Sequence, residues 1–367
     1  MSQIYIGVMS GTSLDGADIS IVEFEKNKLC SYQGKTYPFP KNLSKKLFEL
    51  RNHALSLESL GSIDKSLGFF FSKCIKDYLT ELSLDSKNIL AIGFSGLTIY
   101  HKPSNPEPFT MQIGDPNIIC KETKIDVASD FRRADMALNG EGAPLTPGFH
   151  KWYFGNSKET RVILNLGGIA NITILEPGKK LVGFDTGPAN TLIDCWSKKI
   201  WGIPYDEDGR MAKNGNISNL LLNELTSDSY FSKDPPKSTG TEYFNLNWLN
   251  SKLDEIKIKL EDKDILRTLT QLTVDTISDS IERFLSEPCK IILCGGGVSN
   301  IFLVNQLKNR LNNFDIYSSQ SFGLDPNLLE SIAFAWLAKQ RVDKIPSNVP
   351  SVTGAKKETI LGSIYSK

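Results

Sequence analysis

The chain has 367 residues, 40% of them hydrophobic, enough for two domains of ordinary size, each with its own core. Lys plus Arg and Asp plus Glu both number 42, so no net field favours a polyanion, and no basic run is interleaved with aromatics to track nucleic acid. The six cysteines (Cys30, Cys74, Cys120, Cys195, Cys289, Cys294) include no C-x-x-C pair, the three histidines (His53, His101, His150) lie far apart, and no apolar window approaches the length of a membrane-spanning helix; the expectation is a soluble cytoplasmic protein with reduced thiols, no zinc site and no membrane partner.

The segment 4–24, IYIGVMSGTSLDGADISIVEF, opens with an apolar strand, passes a Gly/Ser/Thr turn carrying two aspartates, and continues as a second alternating strand. This is the pattern of a phosphate site built on a hairpin. Gly11 and Gly16 let the backbone approach a phosphate and take up positive φ, while Ser10, Thr12 and Ser13 add hydroxyl donors to successive backbone N–H groups. Asp15 and Asp18 carry the wrong charge for phosphate, but suit a hard cation such as Mg²⁺ lying between, held through its water shell. An ordinary polar hairpin turn uses the same residue types, so the segment alone leaves both readings open.

A third strand is expected near 29–37, helices around 42–51 and 57–82, and a buried strand at 89–94. DFRRADMA, 130–137, sets Arg132 and Arg133 beside apolar residues, where a guanidinium grips a carboxylate or phosphate bidentately or else lines a solvated helix face. The Gly- and Pro-rich run 138–150 marks either a crossing between domains or a substrate loop, and the boundary is placed near 130. A second cycle then begins: RVILNLGGIANITIL repeats strand, Gly-Gly turn and strand, and KLVGFDTGPAN leads into a helix over 191–199. Asp185 ends the strand LVGFD, where a carboxylate projects into a crevice and suits a general base, although an Asp capping the following turn looks the same in sequence. IILCGGGVSNIFLVNQLKNRL is strand, glycine triplet, Ser/Asn cap and amphipathic helix, aiming a helix N-terminus at its ligand.

LLESIAFAWLAKQR, 328–341, reads as a helix with Glu330 in its first turn, where the dipole already favours a carboxylate, and with Ala333, Trp336 and Leu337 as core. The tail, ending in the short strand TILGSIY, returns to the first domain. The expected bounds are 1–130 with about 345–367 for one domain and 131–344 for the other. Gly295 to Gly297 do not satisfy G-x-G-x-x-G and no G-x-x-x-x-G-K-[ST] occurs, which argues against hydride chemistry and a Walker-type fold.

Glycine turns after strands in two similarly planned halves resemble the superfamily of sugar kinases, actin and heat-shock chaperone ATPases, an α/β fold in which ATP lies in a cleft between two ribonuclease-H-like domains. GVMSGTSLDGAD, MQIGD, DFRRADMA, GAPLTPGFH, NLGGIANIT, GFDTGPAN, YDEDG, PPKSTGTEYFN, CGGGVSN, ESIAFAWLA and PSVTGA, in this order, resemble anhydro-N-acetylmuramic acid kinases over nearly the whole chain. That resemblance implies an enzyme of peptidoglycan recycling. It uses ATP, Mg²⁺ and water to convert 1,6-anhydro-N-acetylmuramic acid into N-acetylmuramic acid 6-phosphate, works as a homodimer and closes its domains on its ligands. By the same resemblance Asp185 activates the attacking water. Gly11, Thr12, Ser13, Leu14, Asp15, Gly16, Ala17 and Asp18 serve ATP phosphates and metal, Asp15 and Asp18 being the metal carboxylates. Asn165, Gly167, Gly168 and Asn171 form a second phosphate loop, with Gly187 also on ATP; Gly295, Gly296 and Gly297 lie on the adenosine side; and Arg132, Asp135 and Glu330 fall to the sugar.

Some positions depart from the family pattern. GFSGLT has Ser95 and Leu97 where a His and a Gln are usual, ALNGEGAPL has Asn139 and Glu141 where a Gly and a Gln are usual, and Ala189 replaces a Gly. The expectation is retained activity with altered sugar affinity. The rival readings are a kinase for another amino sugar and an ATP-driven conformational switch, which fold alone does not separate.

Overall fold

The computed structural model describes residues 2–11, 16–52, 56–103 and 106–367. The chain divides into two compact units, 1–149 with 328–367, and 150–327. The run 131–149 and the helix Leu329–Val342 thus group with the first unit, beyond the bounds near 130 and 344 expected from composition. The tail holds them there: Asp135 accepts from Asn348 and Thr353, and Phe131 packs on Phe334 with ring centroids 5.7 Å apart.

In the first unit the chain makes β1 (Gln3–Ser10), β2 (Gly16–Glu25), β3 (Lys28–Pro38), β4 (Ile89–Lys102), β5 (Phe109–Ile113) and β6 (Val127–Ser129). β1, β2 and β3 form an antiparallel meander, β4 adds in parallel to β1, and β6 in parallel to β4. Beyond the expected strand at 89–94, β4 runs on to pair with β5 as a hairpin. In the second unit β7 (Arg161–Leu166), β8 (Ile169–Leu175) and β9 (Val182–Pro188) form another antiparallel meander, to which β10 (Lys290–Cys294) and β11 (Asp315–Ser318) add in parallel. Finally β12 (Ser363–Tyr365) returns to the first sheet and pairs with β6, as the tail motif predicts. Both sheets follow one ribonuclease-H-like plan, β3-β2-β1-β4-β6 in the first and β9-β8-β7-β10-β11 in the second.

Alternation along the strands decides what each face carries. Ile6 and Val8 of β1, and Ile92 and Phe94 of β4, join a buried cluster with Leu67, Phe71 and Ile75 of the helix Leu57–Glu81. Ser56 caps that helix, its hydroxyl accepting from the Ser59 N–H. The intervening positions, Gly7 and Gly93, pair directly across β1 and β4 and face the helix Leu329–Val342. A Cβ built on Gly7 would lie 1.7 Å from the Ser331 carbonyl oxygen, and one on Gly93 1.9 Å from that of Phe334. The helix therefore rests on bare backbone. In the second unit Val274, Ile277 and Ile281 of the helix Asp262–Phe284 cover Leu164, Ile172 and Leu293, while Leu266 and Leu269 of its first half pack with Leu192 and Trp196.

Because backbone cannot yield as a flexible side chain can, Gly93→Ala is expected to lower stability by about 3 kcal/mol, at the upper end of overpacking costs. Chemical denaturation checks this: a midpoint unchanged from wild type would show that the helix is free to lift off the sheet.

Candidate active site

The first unit gathers charge at one end of the β1–β2 hairpin. Asp18 pairs with Met9 on β1 and with Thr36 on β3, and the Thr36 hydroxyl donates to its Oδ1 at 2.5 Å. The Ser10 hydroxyl donates to the Gly16 carbonyl at 2.7 Å, and a Cβ on Gly16 would meet the Tyr37 carbonyl oxygen at 2.3 Å, so the neighbouring strand by itself requires this glycine. Ala17 is fully buried in the core, its side chain turned from the hairpin's polar face. Thr12, Ser13, Leu14 and Asp15 lie outside the described residues.

Seating the helix Leu329–Val342 on Gly7 and Gly93 also sets Ser331 Oγ 2.6 Å from Ser20 Oγ of β2 and brings Glu330 into the field of Asp18 and Arg132. Burial pushes the Glu330 carboxyl up from the usual carboxylate range, the Asp18 charge adds to this, and Arg132 opposes it. Desolvation thus outweighs the favourable helix end that the sequence alone suggests. Arg132, on the short helix Phe131–Met136, donates from Nη1 to the Gly142 carbonyl at 3.0 Å. Arg133 points outward and pairs with Asp130 at 2.6 Å, the solvated-face alternative.

Asp135 has no exposed surface: Oδ1 accepts from Asn348 Nδ2 at 2.9 Å and Thr353 Oγ1 at 2.8 Å, and Oδ2 from the Gly142 N–H at 2.9 Å. With both oxygens so occupied, it ties the loop that Arg132 grips to the tail of the chain. His101, which sequence reasoning weighed only as a metal ligand, also belongs here; burial and the Arg132 charge hold its imidazole down at about 4, so it is neutral at physiological pH.

The second unit supplies a polar row. Asn165 on β7 pairs with Asn171 on β8, and Asn171 pairs with Asp185 on β9 beside a register shift, so the three residues line one face across three strands. Asp185 is clamped by a segment about fifty residues downstream. Its Oδ2 accepts from the Thr239 N–H at 2.9 Å, its N–H donates to the Lys237 carbonyl at 3.2 Å, and its own carbonyl accepts from the Tyr230 hydroxyl at 2.7 Å. These partners were missed in sequence; the run PPKSTG was visible as a motif, but no periodicity ties it to residue 185.

The glycine turns adjoin this row. The carbonyls of Gly167 and Gly168 accept from the N–H groups of Asn190, Ala189 and Thr191, joining the β7–β8 turn to the helix Asn190–Trp201. Gly187 takes φ +153°, and a Cβ on it would lie 2.7 Å from the Phe231 ring. A Cβ on Gly295, at φ +84°, would lie 2.3 Å from Asn165 Oδ1, and one on Gly297 2.8 Å from the Leu166 Cβ, whereas Gly296 faces open space. Asn165 Oδ1 is buried and has no hydrogen-bond partner among the described residues.

A protein-family model described as "Anhydro-N-acetylmuramic acid kinase" matches residues 3–367. The chain belongs to the anhydro-N-acetylmuramic acid kinase family. It is 42% identical over 367 residues to an anhydro-N-acetylmuramic acid kinase of Vibrio vulnificus (strain CMCP6), covering 100% of this chain and 99% of that protein. Over 364 residues it is 44% identical to one of Coxiella burnetii (strain Dugway 5J108-111), covering 98% and 97% respectively. Among the described residues no helix is long and apolar enough to cross a membrane.

The departures from the family pattern fall on different kinds of site. Leu97 is fully buried in the first unit's core, where its side chain contributes about 2 kcal/mol and a carboxamide would carry a desolvation cost instead, and the Ser95 hydroxyl donates to the Gly96 carbonyl at 2.8 Å. Asn139 takes φ +64° in a turn, the Glu141 N–H donates to the Thr353 carbonyl, and Ala189 is buried.

The raised Glu330 carboxyl carries a definite sign. Its folded value lies above the unfolded one, so its protonated form stabilises the fold below about pH 4.5 and that contribution is lost as pH rises through the folded value. Glu330→Gln is therefore expected to keep or raise the melting temperature at pH 7 to 8 relative to wild type; a clear drop would mean that the charged form is the stabilised one.

Proposed function

We propose that the chain is an ATP-dependent kinase that opens 1,6-anhydro-N-acetylmuramic acid with water and phosphorylates O6, giving N-acetylmuramic acid 6-phosphate and ADP in peptidoglycan recycling. The observation that carries this is membership of the family over residues 3–367. The geometry supports the division of labour. Asp185, held by Thr239, Lys237 and Tyr230, is the general base: it takes a proton from the water whose oxygen bonds to the anomeric carbon. The bond from that carbon to O6 breaks, O6 bonds to the γ-phosphorus, and ADP leaves with the bridging oxygen, so no free alkoxide forms.

Asn165, with its orphaned carboxamide oxygen, Asn171 and the turns at Gly167–Gly168 and Gly295–Gly297 fit a nucleotide, which needs polar groups and bare backbone rather than bulk. By the family resemblance Gly11 to Asp18 serve the phosphates and Gly187 also lies on ATP. Mg²⁺ keeps most of its waters and takes few protein oxygens; Asp18, together with Asp15, would hold it. The ion supplies neutralisation of phosphate charge. Arg132 and Glu330 bind the sugar, with Asp135 as a positioning residue that shapes the Gly142 loop for Arg132. The resemblance further implies a cytoplasmic homodimer, which sedimentation equilibrium tests.

Asp185→Asn is expected to lower kcat by a hundredfold or more, the loss typical of a positioned base, with ATP affinity kept; near-normal turnover would remove Asp185 from this role. Incubation with ATP, Mg²⁺ and the anhydro sugar in ¹⁸O-enriched water tests the reaction itself. Mass spectrometry is expected to find a 6-phosphosugar labelled at the anomeric carbon above a product-only exchange control, whereas ADP production with the anhydro sugar untouched would point to another acceptor.

A further inference from the structure

Behind the Asp185 strand lies a cavity of about 140 Å³, several times the liquid-volume share of a water molecule. Its walls are Phe184 and Thr186, which flank Asp185 and point to the opposite face, residues of the helix Asp262–Phe284, and the segment that carries Lys233 and Lys237. Three cations line it, Lys233, Lys237 and Arg283, the last paired with Asp234 at 2.5 Å, against one lining carboxylate, Asp279, which is paired with Arg310 at 2.9 Å. Hydroxyls of Thr226, Thr276 and Ser280 complete a mixed cation and hydroxyl lining.

Lys237 is the unusual member. Only 7% of its surface is exposed, and its Nζ meets neutral groups: the carbonyls of Tyr230 and Phe231, both at 3.4 Å, and the ring faces of Tyr230 at 4.9 Å and Phe184 at 5.5 Å. Asp185 and Asp234 act on it through space, but Asp234 is itself paired with Arg283 at 2.5 Å. Burial first, and then Arg283, push its amine down to about 8, against the pull of the two carboxylates. At neutral pH it therefore remains largely an ammonium enclosed by neutral partners, which is costly unless a counter-charge is supplied.

We propose that this cavity is a binding site for a small tetrahedral oxyanion of the phosphate class, whose charge compensates Lys237 and whose oxygens are met by Lys233, Arg283 and the lining hydroxyls. Phosphate suits the site because cations and hydroxyl donors converge there around a volume too small for a nucleotide. An occupant would also reach Asp185, since the Lys237 carbonyl accepts from the Asp185 N–H. That last consequence rests on reading Asp185 as the base; the binding itself does not.

The test is calorimetric titration of the full chain with inorganic phosphate at constant ionic strength, with a non-hydrolysable ATP analogue saturating the nucleotide site so that its phosphate loops do not compete. One saturable site is expected, weakened at least tenfold in Lys237→Met, several-fold in Lys233→Met, and unchanged in Lys65→Met, an exposed residue of the first unit that does not line the cavity. Absence of saturable binding by the wild type, or equal binding by wild type and Lys237→Met, overturns the proposal and leaves Lys237 as a near-neutral core amine. Should Lys237→Met fail to fold, the exposed pair Lys233→Met with Arg283→Gln decides, unchanged affinity overturning the site.

Discussion

The contact between the helix Leu329–Val342 and the two glycines Gly7 and Gly93 governs the geometry of the first unit. Helix backbone approaches strand backbone closely enough that one methyl group on either strand would collide with a carbonyl oxygen. Such an approach fixes the height and rotation of the helix over the sheet, and through it the place of everything on its first turn. Glu330 meets the charges of Asp18 and Arg132 because Ser331, one residue on, is seated against Gly7 and Ser20.

A similar logic, using hydrogen bonds in place of bare backbone, organises the polar residues. Asp135 and Asp185 read alike in sequence as carboxylates with a use, yet their surroundings give them different work. Asp135 is wholly enclosed, its oxygens committed to Asn348, Thr353 and the Gly142 N–H, which makes it a structural tie. Asp185 keeps partial exposure, with its Oδ2 accepting from the Thr239 N–H, so it is not sealed in as Asp135 is. Burial is the largest influence on Glu330 and His101 in the first unit and on Lys237 in the second, reinforced by Arg132 at His101 and opposed by neighbouring carboxylates at Lys237.

The two units repeat one sheet plan but use it differently. In the first, the strand faces seat a helix and present charge at a hairpin; in the second, an asparagine, a second asparagine and an aspartate line up across three strands because an antiparallel meander sets paired residues on one face. The departures at Ser95 and Leu97 fall within the first unit, where Leu97 is a packing residue, so a family motif position can change its chemistry when its side chain turns inward.

The opening strands, the helices near 42–51, 57–82, 191–199 and 328–341, the repeated strand–glycine–strand plan and the return of the tail to the first domain were legible in the amino-acid sequence, because period-two and period-3.6 patterns and glycine turns are local properties; the helix Asp262–Phe284 was not foreseen, and Asp185, expected at a strand end, lies inside β9. Family-wide motifs added the expected substrate and the loops that serve it. Tertiary structure alone decided the clamp on Asp185, the engagement of Asp135, the inward turn of Leu97 and the grouping of 131–149 with the first unit. Each of these depends on segments tens to hundreds of residues apart meeting in space, and on how much water burial removes from a particular charge, neither of which spacing along a chain encodes.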